Sequence, residues 1–302
     1  MIQAISVKVF PILFLSTFVL SPAAPAQSID LFAPDNLLAW CIVPFDAAER
    51  DAEARARMLQ ELGFPGYAYD WRTEHIPAFA EEIRTMRRHG IAIDAVWLWI
   101  DDGGGELLDE NNQAILRTIQ EEKLQTTLWI GFAPRVIDEL PEAERLPKAV
   151  NVVRELRKAA KKAGCTIALY NHLGWTGEPA NQVRIIETLG ADDVGIVYNF
   201  HHGHEHLDRM PEAFESMLPW LTCVNLNGMN KDGPKILPIG DGEEDLRLLT
   251  IVRDSGYAGP IGILDHRPEV DAEQSLHENL AGLRRLLGEM GDEQALATFE
   301  RE

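Results

Sequence analysis

Residues 166–202, TIALYNHLGWTGEPANQVRIIETLGADDVGIVYNFHH, contain the unit that decides the fold. An apolar run from Thr166 to His172 reads as a strand with a polar end. Glu178 to Leu189 has a helical composition and is followed by Gly190, a residue type common at helix C-termini. A second apolar run, Val194 to Asn199, completes a strand–helix–strand unit, which predicts a parallel sheet.

The same unit recurs along the chain in a repeat of roughly 30 residues. The sequence predicts eight strands: Leu37 to Val43, Gly66 to Trp71, Ile91 to Ile100, Thr126 to Phe132, Thr166 to His172, Val194 to Asn199, Leu221 to Leu226 and Pro260 to Leu264. They are continuously apolar, as strands covered by helices should be. Eight units in 302 residues predict an α/β fold, a single (β/α)8 TIM barrel with eight parallel strands.

The first 26 residues have the pattern of a signal peptide. Lys8 precedes an apolar run, Val9 to Leu20, that is shorter than the about 20 apolar residues a membrane span needs. Ala24-Pro25-Ala26 supplies the small residues of a cleavage site. We expect cleavage near Ala26, export to the periplasm or medium, and one barrel domain over residues 27–302. An uncleaved N-terminal anchor is the alternative.

Composition limits the partners. A formal net charge of −20 argues against nucleic acid and anionic membrane surfaces, because both require a basic patch. The three cysteines, Cys41, Cys165 and Cys223, are too few and too widely spaced for a disulfide framework, so we expect buried thiols. The glycine run 103–105 lacks the Lys and Ser or Thr of a phosphate-binding loop, and no nucleotide cofactor is expected.

Active sites of TIM barrels lie at the C-terminal ends of the strands. Here those ends are aromatic in the first half of the chain and polar in the second. The predicted substrate-binding residues are Trp40, Tyr69, Trp99, Tyr170, Trp175, Asn225, Asn227, His266 and Arg267. Aromatic faces beside amide and charged groups suit a sugar, a ligand with apolar C–H faces and many hydroxyls. Trp97 is expected to face the helices instead.

Four of the nine histidines lie in residues 201–206, directly after the sixth predicted strand. Histidine titrates near neutral pH and is the commonest metal ligand. We predict His172, His202 and Asp265 as catalytic residues, and His172, Asn199, His202 and Asp265 as ligands of a divalent metal. Such a set suits Zn²⁺, Co²⁺, Mn²⁺ or Fe²⁺ better than Mg²⁺. A metal-free site with a histidine as general base stays open, as does a loop whose histidines only cap neighbouring groups.

Motifs in the second half resemble the xylose isomerase-like TIM-barrel family of sugar and sugar-phosphate isomerases and epimerases. Residues 168–172, ALYNH, resemble its fifth-strand LENH pattern, and residues 223–227, CVNLN, its seventh-strand hHlkD pattern. Residues 237–242, LPIGDG, resemble the PlGeG loop that follows. Residues 195–202, GIVYNFHH, and 262–266, GILDH, resemble its sixth and eighth strand ends.

The resemblance implies a divalent cation held by Glu, Asp, His and Glu from strands five to eight. The matching positions here are Tyr170, Asn199, Asn225 and Asp265, so only Asp265 keeps an acidic ligand. Such a set would bind a hard cation such as Mg²⁺ weakly, because that ion prefers charged oxygen ligands. We therefore expect the neighbouring histidines to replace the missing carboxylates.

The resemblance and the N-terminal segment together imply an exported carbohydrate-active enzyme whose partner is a small-molecule carbohydrate. Its reaction would begin with proton abstraction next to the carbonyl of a sugar or keto-glycoside, leading to isomerisation, epimerisation or lyase-type elimination. The alternative is a non-catalytic sugar-binding protein on the same barrel, which the loss of three of the four family ligands favours.

Overall fold

The computed structural model describes residues 30–101 and 105–300. The predicted signal segment, residues 1–26, and the glycines at 103 and 104 lie outside the described residues. Within them, eight strands form one closed, all-parallel barrel in chain order. The strands are β1 Leu37–Trp40, β2 Gly66–Tyr69, β3 Ala92–Ile100, β4 Thr127–Phe132, β5 Thr166–Tyr170, β6 Val194–Asn199, β7 Leu221–Leu226 and β8 Ile261–Leu264. The predicted single (β/α)8 barrel is confirmed.

Helices cover the outside of this barrel. They are α1 Ala52–Glu61, α2 Phe79–His89, α3 Glu110–Glu122, α4 Glu142–Ala163, α5 Gly174–Gly177, α6 Pro179–Leu189, α7 Met210–Met217, α8 Asp245–Asp254, α9 Ala272–Glu289 and α10 Glu293–Thr298. Three of them end at a glycine in the left-handed conformation, Gly90, Gly164 and Gly190, as the sequence predicts. No helix in the described ranges has the length and apolar character needed to cross a membrane.

The first helix begins later than its composition indicates. Ala47 to Leu62 reads as helical, but α1 starts only at Ala52, where the Asp51 carboxylate accepts a hydrogen bond from the Ala54 amide at 2.8 Å. Before it, Asp46 accepts hydrogen bonds from the Ala48 amide and the Arg50 guanidinium. These side-chain acceptors compete with helical hydrogen bonds and shape the loop after β1.

The barrel interior has its own apolar cluster, which includes Trp40, Trp129 and Tyr170. The Trp40 and Trp129 ring centroids lie 4.9 Å apart in an edge-to-face arrangement. Small side chains on other strands, such as Ala68 of β2 and Ala95 of β3, leave room for these rings. Gly131 is required beside them, because a Cβ atom there would lie 2.3 Å from the Trp97 ring. The interior therefore forms an aromatic floor beneath the C-terminal mouth of the barrel.

The three cysteines are buried and free, as the sequence predicts. Cys41 and Cys223 belong to the interior cluster, whereas Cys165 packs between the barrel and the helices. Burial raises the pKa of the Cys165 thiol to about 11, so its thiolate is scarce at neutral pH. The cysteines therefore serve as small apolar groups in the core.

Candidate active site

Two adjoining pockets open at the barrel mouth. The inner pocket, about 320 Å³, is bordered by groups that include Asp70, Tyr170, His202 and Lys235. The outer pocket, about 390 Å³, lies beside Trp99 and the start of α3. Both volumes fall in the range of small-molecule sites. A larger cavity of about 490 Å³ lies at the opposite end of the barrel, but reactions on this fold occur at the C-terminal mouth.

Asp70 supplies a carboxyl group to the lining of the inner pocket. It follows β2, is 2% exposed, and lies beside the Val43 amide and the Cys41 thiol, although neither carboxylate oxygen forms a hydrogen bond of good geometry within the described chain. Burial raises the pKa of this carboxyl to about 7, and the nearby Arg72 guanidinium offsets only part of that effect. A carboxyl with a pKa near neutrality, facing a pocket, is able to take up and return a proton.

The predicted site does not include Asp70. It includes the preceding residue, Tyr69. The Tyr69 ring stacks on Phe79 of α2 with centroids 4.5 Å apart, inside the core between barrel and helices. The prediction that Tyr69 lies at the substrate pocket is therefore wrong. Successive side chains of a strand point to opposite faces, so Tyr69 and Asp70 could not both face inward.

Trp97 is a second correction. The expectation that it faces the helices is wrong, because its ring borders both mouth pockets. It stacks against Trp99, with centroids 6.0 Å apart, and meets Tyr170 edge-to-face at 4.5 Å. Trp40, Trp99 and Tyr170 are at the mouth as predicted, each bordering one of the two pockets. The pocket wall is thus more aromatic than the predicted residue set indicates.

Four histidines follow one another along the inner pocket. Ring centroids are 4.5 Å apart for His172 and His202, 4.3 Å for His202 and His201, and 5.0 Å for His201 and His266. Burial lowers the pKa of all four, to about 4 for His201 and about 2 for His202. The rings are therefore neutral at pH 7, and each can donate or accept a hydrogen bond without carrying a charge.

The remaining histidines of residues 201–206 have other surroundings. The Tyr198 hydroxyl lies 2.9 Å from His206 Nδ1, and Glu178 lies 3.4 Å from the other ring nitrogen. This buried chain ties the segment after β6 to the start of α6, so His206 is structural. His204 is half-buried and does not border the inner pocket.

Two of the positions that match the family's metal ligands, Tyr170 and Asn199, are hydrogen-bonded to each other. The Asn199 side-chain amide donates to the Tyr170 hydroxyl, and its oxygen accepts from the His201 amide at 3.2 Å. Across the described ranges, no group of three or more His, Cys, Asp or Glu side chains is arranged to hold a metal ion. The predicted set His172, Asn199, His202 and Asp265 is therefore not assembled, and the donors present do not fit the family's cation.

Asp265 lies beneath the pocket rather than on its wall. It is fully buried, and its Oδ1 accepts a hydrogen bond from the Ser275 hydroxyl at 2.6 Å. Burial raises the pKa of this carboxyl to about 7. Arg267 Nε lies 3.9 Å from Asp265, and the guanidinium donates to Glu278 of α9 at 2.9 Å. Arg267 therefore faces α9, and its predicted contact with substrate is wrong in this arrangement.

Two further predicted residues, Trp175 and Asn227, form hydrogen bonds within the loops around the barrel mouth. The Trp175 indole donates to Glu142 at the start of α4, at 3.2 Å, and borders neither mouth pocket. The Asn227 amide donates to the Gly228 and Lys235 carbonyls at 2.8 and 3.3 Å. Trp175 and Asn227 thus lie outside the two mouth pockets, and their roles in substrate binding stay predictions.

Asn225 faces inward below the pocket. It is fully buried, and its side-chain nitrogen has no hydrogen-bond partner within the described residues. Gly262 of β8 makes room for it, because a Cβ atom there would lie 1.8 Å from the Asn225 side-chain oxygen. Asn225 does not border either pocket, so its predicted contact with substrate is not formed here.

The loop between β7 and α8 brings Lys235 to the inner pocket. Asp245 pins this loop by accepting hydrogen bonds from the Met229 and Gly240 amides at 2.7 and 2.6 Å. The residues resembling the PlGeG pattern thus lie in a loop that a buried carboxylate organises. Lys235 and Arg72 are the two cationic side chains bordering the inner pocket. They supply positive charge next to Asp70 and the neutral histidines.

The closed parallel barrel with its polar mouth defines the class: a TIM-barrel protein with its functional site at the C-terminal strand ends. Residues 122–286 match the family model described as a xylose isomerase-like TIM barrel, and the chain belongs to that family. A search of curated protein sequences found no match.

Similar solved structures carry the same barrel. An IOLI protein with a bound zinc atom has a TM-score of 0.65 at 16% identity, covering 84% of this chain and 98% of that one. An L-ribulose 3-epimerase gives 0.64 at 14%, covering 89% and 99%. The 3-keto-D-glucoside 4-epimerase of E. coli gives 0.61 at 17%, covering 83% and 99%. At these identities the likeness concerns the fold.

Proposed function

We propose that the protein is a sugar-modifying enzyme of the isomerase or epimerase type. It abstracts a proton next to the carbonyl of a sugar or keto-glycoside, followed by isomerisation, epimerisation or elimination. Asp70 carries this proposal, because it borders the inner pocket and burial raises the pKa of its carboxyl to about 7. Family membership and the two epimerases among the similar structures support the substrate class.

In this mechanism the Asp70 carboxylate takes the proton from the carbon beside the carbonyl. The C–H electron pair moves into the carbonyl group, so negative charge develops on its oxygen. Neutral imidazoles such as His172 and His202 donate hydrogen bonds to that oxygen, and Lys235 adds a positive charge.

Isomerisation is completed when Asp70 delivers the proton to the former carbonyl carbon and the proton of the neighbouring hydroxyl passes to the other oxygen. Epimerisation is completed when a second donor on the opposite face, for which Lys235 is available, protonates the original carbon. In elimination the electron pair instead expels the substituent of the next carbon, which leaves with a proton from Lys235. Asp265 lies beneath the pocket and exchanges no proton with the substrate. None of these steps uses a metal.

The test is exchange of substrate hydrogen for deuterium, followed by NMR with a panel of keto-sugars and keto-glycosides in D₂O. Asp70→Asn should lower kcat by about 10²-fold or more, because a proton acceptor is lost while the shape is kept. Asp94→Asn is the matched control. Asp94 is another carboxyl with a pKa raised by burial, to about 6, but it borders the cavity at the opposite end of the barrel. Wild-type rates in Asp70→Asn would contradict the proposal.

A non-catalytic sugar-binding protein is the second candidate. Replacement of acidic and histidine ligands by Tyr170, Asn199 and Asn225 favours it, because the family's usual charge stabilisation is lost at these positions. Under this alternative, sugars bind but no substrate carbon exchanges its hydrogen, and Asp70→Asn changes neither result.

We also propose export, supported by the pattern of residues 1–26. N-terminal sequencing of protein recovered from the periplasm or medium should give a chain starting near residue 27. Recovery from the cytosol with the intact N-terminus would contradict it.

A further inference from the structure

We propose that the outer pocket is a subsite for the second unit of a glycoside, either another sugar or an aglycone ring. The substrate would then be a two-unit glycoside rather than a free monosaccharide. This inference rests on the proposed function only for the statement that the reacting ring occupies the inner pocket. The outer subsite itself is argued from the geometry of the mouth.

The two pockets adjoin and share part of their walls. Arg72, Trp97 and His172 border both, so a single ligand can extend from one to the other past these three side chains. Each pocket by itself, at about 320 and 390 Å³, has the volume of a small-molecule site. One monosaccharide held at Asp70 would therefore leave the outer pocket unfilled.

The wall of the outer pocket is a rigid aromatic surface. Trp97 and Trp99 are stacked, with an interplanar angle of 26°, and both remain partly exposed within the folded chain. Trp71 is fixed beside them, because its indole donates to the Trp97 carbonyl at 2.7 Å. His172 meets Trp99 edge-to-face at 4.7 Å. Exposed, immobilised aromatic faces of this kind are characteristic of binding surfaces for flat apolar groups, including the C–H face of a sugar ring.

Polar groups stand opposite the aromatic wall. Thr73, Asp109 and Asn111 border the pocket, and the Asn111 amide donates to the Thr73 hydroxyl at 3.1 Å. Hydroxyl, amide and carboxylate groups at the edge of an aromatic wall are able to bind the hydroxyls around a ring. Asp109 is exposed and caps α3 by accepting from the Asn112 amide at 2.7 Å. Among the described residues, the outer pocket therefore has no buried carboxyl comparable to Asp70, which favours binding rather than reaction there.

The experiment compares binding of one-unit and two-unit sugars by calorimetry. The ligands are glucose on one side and cellobiose, maltose, trehalose and the aryl glucoside salicin on the other. The wild-type protein should bind at least one glycoside about tenfold more tightly than glucose, a gain typical of one stacked ring. Trp99→Ala should lower the affinity for that glycoside more than the affinity for glucose and so remove the preference. Trp99→Phe, which keeps a smaller aromatic face, should retain part of it.

Trp220→Phe is the matched control, because this indole precedes β7 at the opposite end of the barrel. It should keep the full preference for the glycoside. Equal affinities for glucose and every glycoside, no binding of any glycoside, or an equal loss for both ligand types in Trp99→Ala would overturn the subsite. These are binding measurements, so they stand apart from the exchange assay. Loss of the Asp70 mechanism with a Trp99-dependent preference intact would leave the subsite in place.

Discussion

At the scale of single residues, burial determines the chemistry of the site. Asp70 and Asp265 are both enclosed, and both have a pKa raised to about 7. Their surroundings differ, because Asp265 accepts a 2.6 Å hydrogen bond from the Ser275 hydroxyl, whereas Asp70 forms no hydrogen bond of good geometry within the described ranges. The neutral histidines beside Asp70 cannot compensate its charge when it ionises. The carboxyl best placed for proton transfer is therefore also one that weakens the fold in its charged form.

This carboxyl predicts a pH-dependent stability. The pKa of Asp70 is about 7 in the folded protein against an ordinary 3.8, so the folded state holds the proton more tightly than the unfolded state. Stability should fall as pH rises from about 4 to 7, with the full penalty present above 7. Asp70→Asn should therefore raise Tm at pH 8 and leave it nearly unchanged at pH 4, as measured by thermal unfolding followed by circular dichroism.

Asp254→Asn is the control for that measurement. Asp254 is exposed and pairs with Arg253, which lowers the pKa of its carboxyl. This variant should not gain stability at pH 8. A gain in Asp70→Asn of the same size at pH 4 and pH 8 would contradict the assignment of the effect to ionisation.

At the scale of elements, the strand ends are fixed by side chains that bridge neighbouring strands. Asn171, the residue after β5, donates to the Asn199 carbonyl at 3.0 Å and accepts from the Asn199 amide at 2.7 Å. It is fully buried and forms a two-point link from β5 to the end of β6. The link sets the position from which the chain turns towards His201 and His202. Asn171 was not among the predicted site residues, although it lies within the ALYNH motif.

Asn171→Ala should destabilise the protein by about 2–3 kcal/mol, because it leaves a buried amide and carbonyl of Asn199 without partners. Urea unfolding should show a lower midpoint with an unchanged m-value. Asn151→Ala, at an exposed position of α4, should have little effect. Equal midpoints for the two variants would show that the link contributes nothing to stability.

At the scale of the whole molecule, a buried ion pair joins the helical layer to the barrel. Arg55 of α1 donates to both carboxylate oxygens of Glu82 of α2, at 2.8 and 2.9 Å. The Tyr67 hydroxyl of β2 donates to the same carboxylate at 2.6 Å. Three elements therefore meet at one buried charge, on the outer side of the barrel and away from the mouth.

Glu82→Gln should destabilise the whole fold by about 3 kcal/mol, because Arg55 would keep a buried positive charge without its partner. Activity per folded molecule should remain that of the wild type, since the pair lies outside both mouth pockets. Glu53→Gln removes the charge that contacts Arg57, Arg88 and His89 at the surface and should cost about 0.5 kcal/mol or less. Similar unfolding midpoints for the two variants would refute the difference between the buried pair and the surface contacts.

The sequence by itself determined the barrel, since the alternation of apolar strands and helices is a local pattern. It does not depend on how the side chains pack in the folded protein. The sequence also determined which chain segments meet at the mouth, and it placed Trp40, Trp99, Tyr170, His172, His202 and His266 there. Family motifs in the second half added that the usual metal ligands are replaced.

Only the tertiary structure decided which side of each strand faces the pocket. The register shift between β2 and β3 at Tyr67 and Ala68 affects this choice, and no local pattern reveals it. The tertiary structure also decided that Arg267 turns towards α9. Its hydrogen-bond partners Ser275 and Glu278 come from that helix, which lies farther along the chain. Tyr69 and Asp70 are adjacent in sequence, yet one lies in the core and the other in the pocket. The direction of a side chain depends on strand register and long-range contacts. Whether a segment forms a strand or a helix depends mainly on its neighbouring residues.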